Sequence, residues 1–541
     1  MVKLHFRRPY IQLIGIHVVL VLTYGCSKKQ TTYGDRDVFR YNEHKNINSL
    51  DPAFSKDLAD IWGVHQLFNG LVQMDNQLNV QPAIAKTWTI SDNAKVYTFN
   101  LRSDVVFHKH ALFGPDSTRK VVASDVEYSF NRILDPNVAS PGSWVFQKVA
   151  SFRTVNDSTF QIRLKQPFPA FLGLLTMKYC SVIPPEIVSY YGSDFRSNPI
   201  GTGPFKFKRW EENTKLVFRK NLQYFEKDSL GQTLPYLEAV AITFLPDKQS
   251  EFLQFAQGNI DFVSGLDASY KDEILTGDGH LKPKYQKTSR MIRGPYLNTE
   301  YLSFFMDTKE AEVLSPKLRK AISIGFDREK MITYLRNGIG IAANGGFIPE
   351  GLPGYRPSDS FEYNPELAKS LIDEFKAESG INRPKITLST TSNYLSFCEF
   401  IQREIEKLGL EIAIEVLPAS SLKEAKANGK LPFFRASWVA DYPDAENYLS
   451  LFYRNNFAPN GPNYSHYSNA TFDQLYEESY VISDPKERTM LYSKMDSIAL
   501  STYPVIPLYY DEVVRFSRKN VSGLGINPIN LLELKAVKKT D

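Results

Sequence analysis

Within residues 433–452, FFRASWVADYPDAENYLSLF, three side chains of different chemistry fall close together: Arg435, Trp438 and Asp441. The run opens on Phe433 and Phe434 and ends in an acid just before Tyr442-Pro443-Asp444. An apolar run that stops at a proline turn reads as a buried strand, and such a strand delivers one carboxylate to its end. A guanidinium and a carboxylate beside large aromatics lie in a partly dry setting, where charges require partners. Two readings are open. The charges can form a structural ion network, common in ordinary folds, in which Arg435 pairs with Asp441 or Asp444; or they can meet the charged groups of a ligand. Asp444, Glu446 and Asn447 lie alongside, with residue types that suit turns and caps.

Other candidate chemistry is thin. A hydrolase needs a nucleophile with its base, or a metal set. The chain has no HExxH, no GxSxG and no clustered Cys/His, and its 8 histidines are scattered, so no enzyme is expected. His108 and His110, at i and i+2, suit either a metal or a solvated loop. Gly201-Thr202-Gly203 lacks both a following GK[ST] and a following helix, which excludes a nucleotide loop and leaves close backbone packing or positive φ. Gly338-Ile339-Gly340 follows a helix and reads as a cap and loop. No cofactor is indicated. Cys180 and Cys398 lack CxxC spacing and read as buried free thiols.

The elements that must hold these residues alternate between helix and strand. Tyr97, Phe99 and Leu101 alternate with polar neighbours, as do Phe160, Ile162 and Leu164; both are half-buried strands. Ser124-Asp125-Val126-Glu127 predicts a capping box with Ser124 as the cap, opening a helix through Phe130 and Ile133. Ser315-Pro316 and Asp327 predict two more helix starts, and Asp484-Pro485-Lys486-Glu487 a third. Phe397, Ile401, Ile405 and Leu408 make one helix face closed by Gly409. Leu410, Ile412, Ile414 and Val416 then alternate into a strand.

With 541 residues the chain exceeds one core, and two or three domains are expected. It is 43% apolar and 23% charged, which argues against disorder, and its 36 Phe and 30 Tyr supply flat surface for a cleft. The net charge of +4 is small, with no basic stripe, so no nucleic-acid partner is expected. Lys3, Arg7 and Arg8 precede an apolar stretch over 11–23 that is short for a bilayer span. It ends at Leu22-Thr23-Tyr24-Gly25-Cys26, followed by polar residues, which resembles a bacterial lipoprotein signal with Cys26 as the lipidated terminus. An ordinary secretory signal cut nearby is the other reading.

Five blocks in order resemble the family 5 solute-binding proteins, the oligopeptide and dipeptide receptors of ABC importers. They are ASDVEYSFNR at 123–132, PIGTGPF at 199–205, LRKAISIGFDREKM at 318–331, SWVADYPD at 437–444 and PVIPLY at 504–509. The chain departs from the family at 107–119, where the loop is longer than the usual F-x-D-G turn. The resemblance implies an α/β, two-lobed periplasmic-binding-protein-like fold (type II, cluster C) with an extra domain inserted in lobe one. It implies a signal peptide over 1–25 and a tether over 26–36. Lobe one would combine 37–75, 199–300 and 508–541, the insertion would be 76–198, and lobe two 301–507. Hinge crossings would fall near 297–301 and 506–510. It further implies a monomer outside the cytoplasm, anchored to a bacterial membrane by lipid on Cys26, that passes peptides to ABC permease subunits. Asp441 matches the aspartate that holds a peptide's α-ammonium, Arg435 a position that can meet its carboxylate, and Trp438 a possible wall of the cleft. Relatives that take nickel chelates, haem, glutathione or oligosaccharides, and a sensor without transport, are the alternatives.

Overall fold

Side-chain caps start three of the helices where their sequences predict. In a computed structural model that describes residues 37–540, except 92, 358 and 483, Ser315 Oγ accepts from Leu318 N at 3.3 Å and opens Pro316–Ile324. Asp327 accepts from Lys330 N at 2.9 Å and opens Arg328–Arg336. Asp484 accepts from Lys486 N and Glu487 N at 2.7 and 3.1 Å and opens Pro485–Leu500. Each satisfies amides that the first helical turn leaves without partners. The expected signal peptide, Cys26 and the tether over 26–36 lie outside the described residues.

The Ser124 cap is a correction. The helix runs Ala123–Leu134, and Asp125, not Glu127, reaches back, accepting from Val122 N at 2.9 Å. Arg119 fixes that carboxylate with two bonds of 2.8 Å, which is why it wins the role. Glu127 instead accepts from Thr154 N on the adjacent strand at 2.9 Å.

One large mixed sheet runs through most of the molecule. Across it lie, in order, Glu411–Val416, Lys385–Thr390, Phe433–Val439, Ser289–Phe304, Val505–Arg518, Phe262–Ser264, Val38–Asn42, Ala239–Thr243, Lys215–Lys220 and Phe205–Glu211. Ser289–Phe304 and Val505–Arg518 are the longest, at 16 and 14 residues, and pair antiparallel. Their register breaks between Pro295 and Thr299, and again between Glu300 and Tyr301. Strands on one side of this pair share the core of Phe39, Leu216, Val240 and Ile242. On the other side, helices Pro316–Ile324, Pro365–Ser379 and Leu395–Glu406 bury Leu318, Ile322, Ile372 and Ile401 against Leu302, Ile386 and Leu388.

A separate four-stranded antiparallel sheet, ordered Ala85–Ser91, Val96–Leu101, Thr159–Leu164 and Val149–Asn156, has its own core of Phe99, Phe130, Phe146 and Phe160. Phe130 packs edge-on against Phe152 and Phe160 of this sheet, ring centres 5.5 and 5.8 Å apart, so helix Ala123–Leu134 is fastened to the sheet by its apolar face.

The Gly201-Thr202-Gly203 loop is a close-packing device. A Cβ on Gly201 would lie 2.2 Å from Leu67 O, and one on Gly203 2.4 Å from Leu67 C, so only glycine lets these backbones meet. His108 is no solvated loop residue, nor is it joined to a metal cluster among the described residues. It is buried, its Nε2 lies 3.0 Å from Gly203 O, and its Nδ1 accepts from Gly201 N at 3.3 Å. Burial pushes its pKa down to about 4, so the ring is neutral and pins the glycine loop. His110 Nε2 lies 3.1 Å from the Tyr191 hydroxyl. Cys180 and Cys398 are buried free thiols, as expected. Among the described residues no helix is long and apolar enough to cross a membrane.

Candidate functional site

Phe433–Val439 is buried over its first four residues and opens toward its end. Phe433 stacks on Phe304 of the adjoining strand at 4.3 Å between ring centres, which fixes the start of the strand and so the position of its acidic end. Val439 pairs with Asn298, beside the register break. The chain then turns through Asp441–Asp444 into the short helix Glu446–Leu449.

Asp441 faces a cavity of about 540 Å³, within the range of small-ligand sites. Its walls come from distant parts of the chain: Leu58, Ile61 and Ile529 on one side, Trp144 and Tyr179 on another, and 439–443 on a third. The Asp441 side chain is exposed toward the cavity, with protein on the surrounding sides. Burial accordingly raises its pKa above the usual aspartate value, with an Asn447 hydrogen bond opposing. No Lys or Arg among the described residues pairs with Asp441. Its hydrogen-bond neighbour is Asn447, whose Nδ2 is 3.5 Å from Oδ2. A carboxylate in a walled cavity with one weak amide contact has the chemistry to accept further charge-assisted hydrogen bonds.

Asn447 positions two of the expected site residues. Its Oδ1 accepts from Trp438 Nε1 at 2.9 Å and from Asp441 N at 3.2 Å. Trp438 is half-buried and packs against the core beneath this strand; it stands beside the cavity, outside its lining residues. Glu446 serves a different network, accepting from the hydroxyls of Tyr442, Tyr476 and Tyr480.

Arg435 has a partner that neither sequence reading names. It is buried, forms an ion pair with the buried Glu300, and lies over the ring of Tyr394. Burial raises the Glu300 pKa, and Arg435 opposes that rise. Asp444, the other expected partner, is instead 3.8 Å from Arg488 and accepts from Glu446 N at 2.9 Å. Arg435 therefore lies away from Asp441's cavity and is not one of its lining residues.

The turn after Asp441 brings the two sheets together. Tyr442 packs edge-on to Phe168 at 6.1 Å and against Trp144 at 6.5 Å, so it joins the core of the smaller sheet. Tyr179 closes this side. Its hydroxyl pKa is pushed up to about 12, mainly by burial and further by the Asp441 charge. Lys178 and Tyr179 are site residues that sequence reasoning misses. They sit in a short turn, MKYC, with no periodicity or motif to mark them.

Comparison with known proteins bears on the family and the fold. The model for the middle region of the bacterial extracellular solute-binding proteins, family 5, matches residues 79–460. The glutathione-binding protein GsiB of Salmonella typhi is 24% identical over 490 residues, covering 89% of this chain and 91% of that protein. Among solved structures, HbpA2 from Haemophilus parasuis superposes with a TM-score of 0.82 at 23% identity, over 93% of this chain and 100% of the other. The periplasmic binding protein DppA from Helicobacter pylori, in complex with the peptide STSA, gives 0.74 at 25% identity, over 93% and 98%. With the family matched across most of its length and the mixed α/β fold shared nearly end to end, the chain belongs to the bacterial extracellular solute-binding proteins of family 5.

Proposed function

We propose that this protein captures peptides outside the cytoplasm and delivers them to an ABC importer, with Asp441 holding the ligand's free α-ammonium. The observation that carries this is the Asp441 carboxylate, set in a 540 Å³ cavity with no cation of the described chain paired to it. An α-amino group has a pKa of about 8 and arrives charged at neutral pH. Closed in a cavity it needs an opposite charge, and an aspartate past a strand end accepts its hydrogen bonds without disturbing the sheet. Two relatives support the ligand class, one binding glutathione and one solved with the peptide STSA; both ligands carry a free amine.

In this reading, residues 37–75, 199–300 and 508–541 form lobe one, 76–198 the inserted domain and 301–507 lobe two. The lobes rock about the register break in the two long strands, in the manner of hinge closure around a ligand. The chain acts as a monomer, held at a bacterial membrane by lipid on Cys26.

The test is calorimetry with a pool of free tripeptides and the same pool N-acetylated. Wild type binds the free pool and loses roughly ten- to hundredfold affinity for the acetylated one, as expected for a hydrogen-bonded charge. Asp441→Asn binds both equally weakly, with little change in Tm. Equal affinity of wild type for both pools refutes the ammonium role.

A further inference from the structure

The cavity that holds Asp441 also has an unpaired positive charge in its wall. Lys178 is half-buried and lines the same space, and among the described residues its Nζ makes no hydrogen bond or ion pair. The acid it feels most is Glu533, but that carboxylate is already engaged. Glu533 lies 3.1 Å from His65 Nε2 and 3.7 Å from Lys535 Nζ, and accepts from Lys535 N at 3.3 Å. Lys535 is itself tied to Glu226 at 2.7 Å. The lysine is thus left over from a satisfied network.

Its setting is rigid. Lys178 opens the turn Lys178–Cys180, whose carbonyl accepts from Ser181 N at 3.1 Å and Ser181 Oγ at 2.7 Å, and Cys180 anchors the turn in the core. Protein walls push the Lys178 pKa down to about 8, with burial the largest cause and Lys535 adding to it against Glu533. An ammonium so placed gains from a ligand anion what the protein does not supply. The second cavity lysine, Lys56, is exposed and stays hydrated.

Lys178 and Asp441 both line this one cavity of about 540 Å³. Tyr179, next to Lys178, feels the Asp441 charge, and an extended di- or tripeptide spans roughly 7–11 Å. Resting on the assignment of Asp441 above, we propose that Lys178 receives the terminal carboxylate of the bound peptide, so that the site selects short zwitterionic peptides by both ends. The carboxylate reader would then be a lysine in the wall contributed by 141–179, and not Arg435.

The experiment compares three synthetic tripeptide pools, free, C-amidated and N-acetylated, on wild type, Lys178→Met and Lys178→Arg. Wild type is expected to bind the C-amidated pool roughly ten- to hundredfold more weakly than the free pool. Lys178→Met should bind the free pool as weakly as wild type binds the amide, with its amide affinity unchanged. Lys178→Arg should keep the preference for the free acid. Equal wild-type affinity for free and amidated pools overturns the proposal, as does an equal loss for both in Lys178→Met. Sensitivity to amidation without sensitivity to acetylation removes Asp441 and spares Lys178; the reverse removes Lys178 alone. Failure of wild type to bind any pool overturns both. Should Lys178→Met not fold, Lys178→Gln takes its place, with the same results expected and the same results overturning the proposal.

Discussion

At the scale of single residues, the site rests on the contrast between Asp441 and Arg435. Both are visible in one short stretch, and both carry charges next to aromatics. Asp441 faces a cavity and has an amide neighbour, whereas Arg435 is consumed by Glu300. Which charge is spare is decided by Glu300, a residue 135 positions away in sequence, so no local pattern can reveal it. Asn447 is legible only as a turn or cap residue; its positioning of Trp438 and Asp441 depends on how the chain folds back after Asp444. The raised pKa of Asp441 gives a pH prediction. Binding an ammonium requires the charged carboxylate, and a raised pKa means that Asp441 takes up its proton at a higher pH than an ordinary aspartate, near 3.9. Affinity for free-amine peptides is therefore full above that raised value and falls as pH drops through it. Titrating affinity from about pH 7 down to about pH 4 should show this acid limb in wild type and none in Asp441→Asn. A flat wild-type profile would exclude the carboxylate from binding.

At the scale of elements, the helices are the most legible because their caps are local. Ser315, Asp327 and Asp484 each work within three residues of themselves. The cap at Val122 departs from the expected Ser124 because Arg119, from the preceding loop, holds Asp125 in the capping position. The strand after Gly409 is legible by alternation, though Val416 at its far end is exposed. The Arg435–Glu300 pair belongs to this scale, since it ties neighbouring strands of the large sheet, Leu302 opposite Arg435 and Glu300 opposite Ser437. Replacing one member leaves the other buried and uncompensated, at a cost of roughly 3–5 kcal/mol. Arg435→Met should therefore lower stability in chemical denaturation by about that amount, while the ratio of affinities for free and C-amidated peptides stays as in wild type. Unchanged stability with loss of the free-acid preference would return Arg435 to carboxylate binding.

At the scale of the whole molecule, the ordered blocks make the family legible before any single side chain is secure. Three of the five blocks are junctions, while 123–132 lies within one helix and 318–331 spans two consecutive helices. PIGTGPF packs its glycines on Leu67, SWVADYPD carries the chain from the large sheet to the cavity, and PVIPLY enters one of the two long strands. What the blocks do not encode is how the smaller sheet closes the site. Lys148 lies 3.9 Å from the Phe168 ring and 4.1 Å from that of Tyr480, and Tyr442 sits between Trp144 and Phe168. Three of these contacts, Lys148–Tyr480, Trp144–Tyr442 and Phe168–Tyr442, join parts of the chain more than 250 positions apart by number, so Lys178 and Tyr179 come to line the cavity only once the molecule is assembled. Closure around a charged ligand is the central claim, and a crystal structure of the protein with a bound free tripeptide tests it most directly. The account predicts the ligand's α-ammonium within roughly 2.7–2.9 Å of an Asp441 oxygen, inside the cavity. A peptide bound with its amine in solvent, and Asp441 bonded to Asn447 alone, would contradict it.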